Sequence, residues 1–204
     1  ISKIIRALLG FAGHNKAGAE WSRFDLSQAI QQAIALVKHQ LDAQSIEVDI
    51  EIPEDLPALL GNIGELEQVF INLMLNAQYA MPKGGSLRIT ARLDGEEVDL
   101  RFADSGEGVP PEHADRLFEP FFTTRADEGG TGLGLAVSYS IIQMHKGSLS
   151  ISSEVEQGAT FVIRLPVPPS ASASASEDAG TSSDAGPVSE EDYIDIGTEQ
   201  EGDP

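Results

Sequence analysis

The chain has 204 residues, 41% of them hydrophobic, with 13 Lys or Arg against 33 Asp or Glu, no cysteine and a net charge of −20. That acidity excludes a nucleic-acid surface, which needs a basic footprint, and zero cysteines exclude disulfides and thiolate metal sites and fit a reducing, cytoplasmic setting. No apolar run approaches the roughly 20 residues of a membrane span, and no basic-then-apolar segment resembles a signal peptide.

Residues 1–13, "ISKIIRALLGFAG", carry Ile1, Ile4, Ile5, Leu8 and Leu9 at helical spacing. The stripe is short and narrow, so it predicts a helix that packs on another. Residues 14–24 read as a connector. Asp25 with Gln28 forms a capping-box pattern that opens a helix running to about Leu41. The alternating "IEVDIEI" predicts a strand ended by Pro53. A second capping box, Asn62 with Glu65, opens a helix over "ELEQVFINLMLNAQYAM", which Pro82 and Gly84 stop. "SLRITARL" and "EVDLRFAD" flank Asp94-Gly95, a hairpin signal. "PPEHADRLF" begins with prolines suited to a helix start. The stretch from Glu119 to Gly130 has no periodicity and reads as a lid. A helix after Gly132 reaches about His145, and a last hairpin turns at Gln157-Gly158. Residues 169–204 are of low complexity. The last 35 of them hold ten acids and no base, half of the whole net charge, and predict a disordered linker or tail. Ile1 rather than Met opens the chain, and the expectation is a piece of a longer protein.

Four stretches are candidates for a ligand site. Asn72 and Asn76 lie four apart on one predicted helix, so both project from the same face. Asparagine is a modest helix former, and two in an apolar helix are either satisfied locally or serve a ligand. An amide oxygen suits Mg²⁺, which takes hard oxygen ligands. "DSGEGVP" follows a strand directly, so Asp104 at the strand end is placed to accept a hydrogen bond from an exocyclic amine. Gly106 and Gly108 leave room for a flat ring. "LFEPFFTTR" is an aromatic clamp that precedes the lid. "GGTGLGLAVS" combines close backbone approach with a helix N-terminus, both suited to phosphate, and Thr131 adds a hydroxyl. It is not a P-loop, because no Gly-Lys-Ser/Thr follows at the required spacing.

Taken in order, "NLMLNA", "DSGEGVP", "LFEPFFTT" and "GGTGLGL" resemble the N, G1, F and G2 boxes of the histidine-kinase catalytic domain. That domain shares an ATPase superfamily with DNA gyrase, the ninety-kilodalton heat-shock chaperone and the MutL-type repair proteins. The wording of "NAQYAM" and "FEPFFTT" is most similar to kinases of the nitrogen-regulation type. The resemblance implies an α/β two-layer sandwich of the Bergerat type: a mixed sheet of about five strands with three helices on one face. It places the catalytic domain at 25–168 and likens residues 1–13 to the end of the dimerisation and phosphotransfer hairpin. ATP and Mg²⁺ are the implied ligands. By position, Asp104 would bind the adenine amine, with Gly106 and Gly108 shaping the base pocket. Asn76 would coordinate the metal and Asn72 would contact the metal–phosphate end. Thr131, Gly132, Leu133 and Gly134 would line the triphosphate.

The hydrolytic ATPases of the superfamily carry a glutamate base where this chain has Asn72. An amide cannot take a proton from water at neutral pH, so transfer to a histidine is favoured over hydrolysis. Two positions depart from the kinase pattern. Tyr79 stands where many kinases have a lysine three residues after the metal-binding asparagine. The phosphate charge then needs another cation, with Arg125 the first candidate and Lys83 the second. The family's phosphoacceptor is a histidine followed by an acid, whereas His14, His39, His113 and His145 precede Asn15, Gln40, Ala114 and Lys146. The acceptor is therefore expected on a helix upstream. Implied partners are that helix, a response-regulator receiver domain and a second copy in a homodimer, and the full-length protein is a candidate for inner-membrane anchoring. The rival readings are an ATP-hydrolysing conformational switch and a nucleotide-binding module without transfer activity.

Overall fold

The computed structural model describes residues 20–125, 130–153, 155 and 157–169. The expected helix over 1–13, the first part of the connector and all but the first residue of the acidic tail lie outside the described residues. In chain order the elements are β1 (Ser22–Phe24), α1 (Leu26–Ala43), β2 (Ile46–Glu51), β3 (Leu59–Gly61), α2 (Ile63–Ala80), β4 (Gly85–Asp94) and β5 (Glu97–Asp104). They are followed by α3 (Pro111–Ala114), α4 (Gly134–Met144), β6 (Ser148–Ser153) and β7 (Ala159–Pro166).

β2, β4, β5, β7 and β6 form one mixed sheet in that spatial order. Only the β2–β4 pair is parallel, with Ile46 opposite Gly85 and Glu51 opposite Thr90. Two of its three antiparallel pairs follow from the hairpins read in the sequence, at Asp94-Gly95 and before Ala159; the third joins β5 to β7, with Phe102 opposite Phe161. β1 and β3 make a separate two-stranded sheet, Phe24 opposite Leu59. Three-residue strands are too short to show alternation in a sequence, and β1 takes residues read there as the end of the connector.

The core lies between the sheet and α1, α2 and α4. On β5 it takes Val98, Leu100 and Phe102, on β4 Leu87 and Ile89, and on β7 Phe161, Ile163 and Leu165, the period-two set expected of one sheet face. α1 contributes Ala29, Ile30, Ala33, Val37 and Leu41 at helical spacing, and α2 contributes Leu66, Val69, Phe70, Leu73, Met74 and Ala77. Phe70 stacks on Phe102 with ring centroids 6.0 Å apart, fixing α2 over the middle of β5. Each of these buried Val, Leu, Ile, Phe or Met side chains contributes roughly 1.5–3 kcal/mol, and each alanine less.

Both long helices start as the sequence predicts. The Asp25 carboxylate accepts from the Gln28 N–H at 2.8 Å, and Asn62 Oδ1 accepts from the Gly64 and Glu65 N–H groups at 3.1 and 3.4 Å. At the second start the backbone N–H of Asn62 donates to His145 Nε2 at 3.0 Å, so the glutamate arm of the expected box is replaced by a histidine from α4's end. His145 is 2% exposed, its Nδ1 lies 2.8 Å from the Ile141 carbonyl, and Trp21 stacks on its ring at 4.7 Å. It is a structural residue, tying the start of α2 to the end of α4.

The far side of the sheet is polar. There Asp99 is buried beneath Arg101, Arg164 and Arg92, with Arg164 Nε at 3.4 Å and Arg92 Nε at 3.9 Å. The Arg101 guanidinium makes two hydrogen bonds to it and holds its carboxyl below the usual carboxylate range against the cost of burial.

Candidate active site

A cleft of about 280 Å³ opens between α2, the start of α4 and the residues after α3. Asn72 and Asn76 reach it from one face of α2, Arg125 and Thr123 from the lid, and Thr131, Gly132 and Gly134 from the glycine-rich loop. Among the described residues, Arg125 is the one charged side chain in the lining, and no carboxylate faces the space. The N-terminal N–H groups of α4 add to its positive charge, since Leu133 caps the helix without a side-chain hydrogen bond and Gly134 opens directly onto the cleft. Unpaired N–H groups and the helix dipole together favour an anion.

Asn72 does two things at once. Its Nδ2 donates to Ser138 Oγ at 3.0 Å, bolting α2 to α4, and its Oδ1 lies against the Gly134 backbone. A methyl group at Gly134 would overlap that amide, so the loop can start its helix there only without a side chain. Asn76 Oδ1 accepts from an Arg125 terminal nitrogen at 3.2 Å, while its Nδ2 is buried with no hydrogen-bond partner. The Arg125 guanidinium carbon sits 4.4 Å over the Tyr79 ring. Lys83 does not line the cleft.

The base of the lid is closed by two backbone hydrogen bonds. Phe121 N–H donates to the Gly132 carbonyl at 2.8 Å and Gly130 N–H to the Arg125 carbonyl at 2.9 Å. Gly132 has φ +63°, and a Cβ there would strike the Phe121–Phe122 backbone, so both its conformation and its position demand glycine. Thr131 Oγ1 accepts from the Leu133 N–H at 3.4 Å, and the Leu133 side chain is buried, 3% exposed.

Asp104, Gly106, Gly108 and Leu133 are not part of the cleft lining. Asp104 ends β5, is 8% exposed, and its Oδ1 accepts from the Gly106 and Ala159 N–H groups at 2.9 and 3.2 Å. Its Oδ2 has no hydrogen bond among the described residues, leaving one acceptor atom for a ligand. Burial raises this carboxyl above the usual carboxylate range, with the two backbone hydrogen bonds pulling the other way. Glu107 N–H donates to the Ala80 carbonyl at 3.1 Å, which joins the glycine turn to the C-terminal end of α2. Gly108 follows with φ +73°. The two halves of the expected site thus hang on one helix, the turn after β5 at its end and the cleft along its middle.

Sequence reasoning missed the Ser138 latch and the Tyr79–Arg125 stack. Ser138 closes the "GGTGLGLAVS" stretch, but nothing in that string points to Asn72, 66 residues upstream, as its partner. Tyr79 was visible only as a departure from a pattern, and its partner lies 46 residues away across the irregular lid.

This arrangement defines a nucleotide-binding α/β sandwich whose glycine loop opens a helix and carries a lid. Residues 61–169 match the Histidine kinase-, DNA gyrase B-, and HSP90-like ATPase family, and the chain belongs to that family. It is 38% identical over 143 residues to sporulation kinase E of Bacillus subtilis and 36% identical over 143 residues to the sensor histidine kinase ZraS of Escherichia coli K12. Each match covers 70% of this chain but only 19% and 30% of those proteins. The catalytic domain of histidine kinase ThkA superposes with a TM-score of 0.66 at 29% identity, covering 72% of this chain and 96% of that one. Full-length ShkA, solved in complex with AMPPNP, gives a TM-score of 0.70 at 29% identity, covering 80% of this chain and 35% of that one. The expected fold, a mixed five-stranded sheet with helices on one face, is the one observed. No helix among the described residues is long and apolar enough to cross a membrane.

Proposed function

We propose that this chain is the ATP-binding catalytic domain of a sensor histidine kinase. It binds Mg-ATP and passes the γ-phosphoryl to a histidine on a helix outside these 204 residues, for relay to a response-regulator aspartate. The observation that carries the reading is the cleft: two amide side chains, an uncapped helix start, one arginine and no carboxylate among the described residues.

Asp104 Oδ2 accepts from the adenine amine, while the Gly106 and Ala159 N–H groups hold the carboxylate still. The N-terminus of α4 and Thr131 take the phosphates, and Arg125 meets their charge from the lid. The residues fit a magnesium ion that arrives with the nucleotide. Asn76 supplies one hard oxygen in the cleft beside a buried amide nitrogen that has no protein partner, and Mg²⁺ takes its other ligands from phosphates and water. Bound there, the metal would neutralise charge on the phosphates. The rest is positioning, with α2 and the latched α4 holding the phosphate chain in line.

The cleft also disfavours the hydrolytic switch as the alternative. Asn72 is committed to Ser138 and Gly134, and no described lining residue has a carboxylate to activate water. No described histidine lines the cleft: His113 packs edge-on against the lining residue Phe122, with ring centroids 5.6 Å apart, and is followed by Ala114 and not by an acid. A response-regulator receiver domain and a homodimeric assembly belong to the same proposal, as does the anchoring of the longer protein in a membrane.

The test is phosphotransfer in trans. The chain is incubated with γ-labelled ATP and a separate protein that carries a His-Glu acceptor helix. Acid-labile, base-stable label on that histidine is the expected result. Steady phosphate release with no label on the acceptor would mean hydrolysis instead.

A further inference from the structure

Asn76 and Tyr79 are three residues apart on α2, so they share one face of the helix, and both line the cleft. Tyr79 is 55% exposed, an unusual place for a ring that has no core to fill. What lies on it is Arg125: the guanidinium carbon is 4.4 Å from the ring centroid, and one terminal nitrogen donates to Asn76 Oδ1 at 3.2 Å. Arg125 is also the single charge in the described cleft lining, and it stands on a lid segment with no regular secondary structure. Without a fixed support, a long arginine side chain on such a segment samples many rotamers, and its charge is smeared over them.

We infer that Tyr79 is a positioning residue: its ring is the shelf that keeps the Arg125 guanidinium at the phosphate end of the nucleotide site. The inference rests on the ATP reading above and deepens it. A planar guanidinium stacks on an aromatic face while its edge donors stay free, so the shelf fixes the plane of the group and leaves nitrogens for ligand oxygens. The second hold, on Asn76 Oδ1, uses the oxygen that the metal takes in the proposed complex. Nucleotide entry therefore requires Arg125 to give up that oxygen, and the ring is what keeps it within reach when it does. A lysine at position 79 would put a charge directly on the helix. This chain instead places the charge on the lid and its support on the helix.

The experiment measures Mg-AMPPNP and Mg-ADP affinity by calorimetry on the 204-residue chain, in the wild type, Tyr79→Phe, Tyr79→Leu, Arg125→Gln and the Leu/Gln double variant. Tyr79→Leu should weaken Mg-AMPPNP by roughly three- to tenfold, the worth of a partly exposed cation–π contact, and weaken Mg-ADP less because it carries less charge. Tyr79→Phe should bind like the wild type, since the ring face and not the hydroxyl is used. The double variant should be no weaker than Arg125→Gln alone, because the shelf matters only through its arginine. Unchanged affinity in Tyr79→Leu, a Tyr79→Phe as weak as Tyr79→Leu, or a double variant whose losses add would each overturn the inference. If the folded wild-type chain binds neither nucleotide, the ATP reading itself falls and takes this inference with it.

Discussion

Replacing Asp104 with asparagine separates two things that a buried carboxylate does at once. The side chain is 8% exposed, and its Oδ1 holds two backbone N–H groups, those of Gly106 and Ala159. Asparagine can keep both through its own Oδ1, so Asp104→Asn leaves no backbone donor orphaned, whereas alanine would orphan two. What it changes is the other atom, from an oxygen that accepts to a nitrogen that donates. Facing an adenine amine, that converts a charge-assisted hydrogen bond into two opposed donors. The loss is about 1.5–3 kcal/mol, or roughly tenfold to a little above a hundredfold in Kd. Stability should move the other way. Burial raises the Asp104 carboxyl above its ordinary value, so the folded state binds its proton more tightly than the unfolded state does. The chain then loses stability as pH rises through the window between the ordinary value and the raised one, and asparagine removes that cost. Calorimetric titration with Mg-ATP and a thermal melt at pH 7 on the same preparation read both effects. The adenine assignment fails if the folded variant binds Mg-ATP as well as the wild type does. A melting temperature below that of the wild type would refute the electrostatic half.

The other predictions follow from named contacts. Gly134→Ala should weaken Mg-ATP by at least tenfold, because the new methyl overlaps the Asn72 amide and pushes α4's start off the cleft; Asn72→Ala in the same chain should recover part of the loss. Asp99→Asn should cost about 1–2 kcal/mol, less than a fully buried pair because the arginines above it are partly solvated, and should lower the melting temperature by a few degrees. Its pH dependence is of the opposite sign to that of Asp104. The Asp99 carboxyl is held down chiefly by Arg101, so its stabilisation is complete above the ordinary aspartate value and disappears as pH falls through the lowered one; acid melts of wild type and Asp99→Asn should converge there. Asn76→Ala should abolish the magnesium dependence of nucleotide binding while leaving metal-free binding within about threefold, since the base end is not touched.

The legible part of this protein was the part encoded locally. Both caps, both hairpin turns and the ends of α2 and α4 follow from residues within a few positions of one another, and each was readable for that reason. The Asn72–Asn76 pair was legible because helical periodicity alone puts both on one face, whatever they touch. What the sequence could not give was which partner each amide chooses. Asn72 is taken by Ser138 and Asn76 by Arg125, at separations of 66 and 49 residues, and nothing in local pattern distinguishes those pairings from others. The same holds for His145. Its ring replaces a capping-box glutamate at Asn62, 83 residues away, because a fully buried imidazole must place both nitrogens and the free N–H of a helix start is close by. Similarly, the short β1–β3 pair is held by Phe24 and Leu59 entering the common core, an effect of tertiary burial that three residues of alternation cannot announce.

The proposed site asks an acidic chain to hold a highly charged anion, and the described cleft lining, which carries no carboxylate, suits that task. The long-range field of a −20 chain repels phosphate, but at physiological salt it is screened beyond about 8 Å. Inside the cleft only near groups count, and those described are amides, hydroxyls, glycine backbone, a helix start and one guanidinium. Asp104, the acid proposed to meet the neutral base, stands outside that lining at the end of β5. This spatial division predicts a specific salt response. Raising ionic strength should weaken the Arg125-dependent share of Mg-AMPPNP binding and leave the Asp104-dependent share nearly unchanged, because the first contact is charge on charge in a solvent-reachable cleft and the second is a buried hydrogen bond. The difference in affinity between wild type and Arg125→Gln should therefore shrink between 50 mM and 500 mM salt, while that between wild type and Asp104→Asn stays constant. Parallel salt curves for both variants would show that the site does not divide its work in this way.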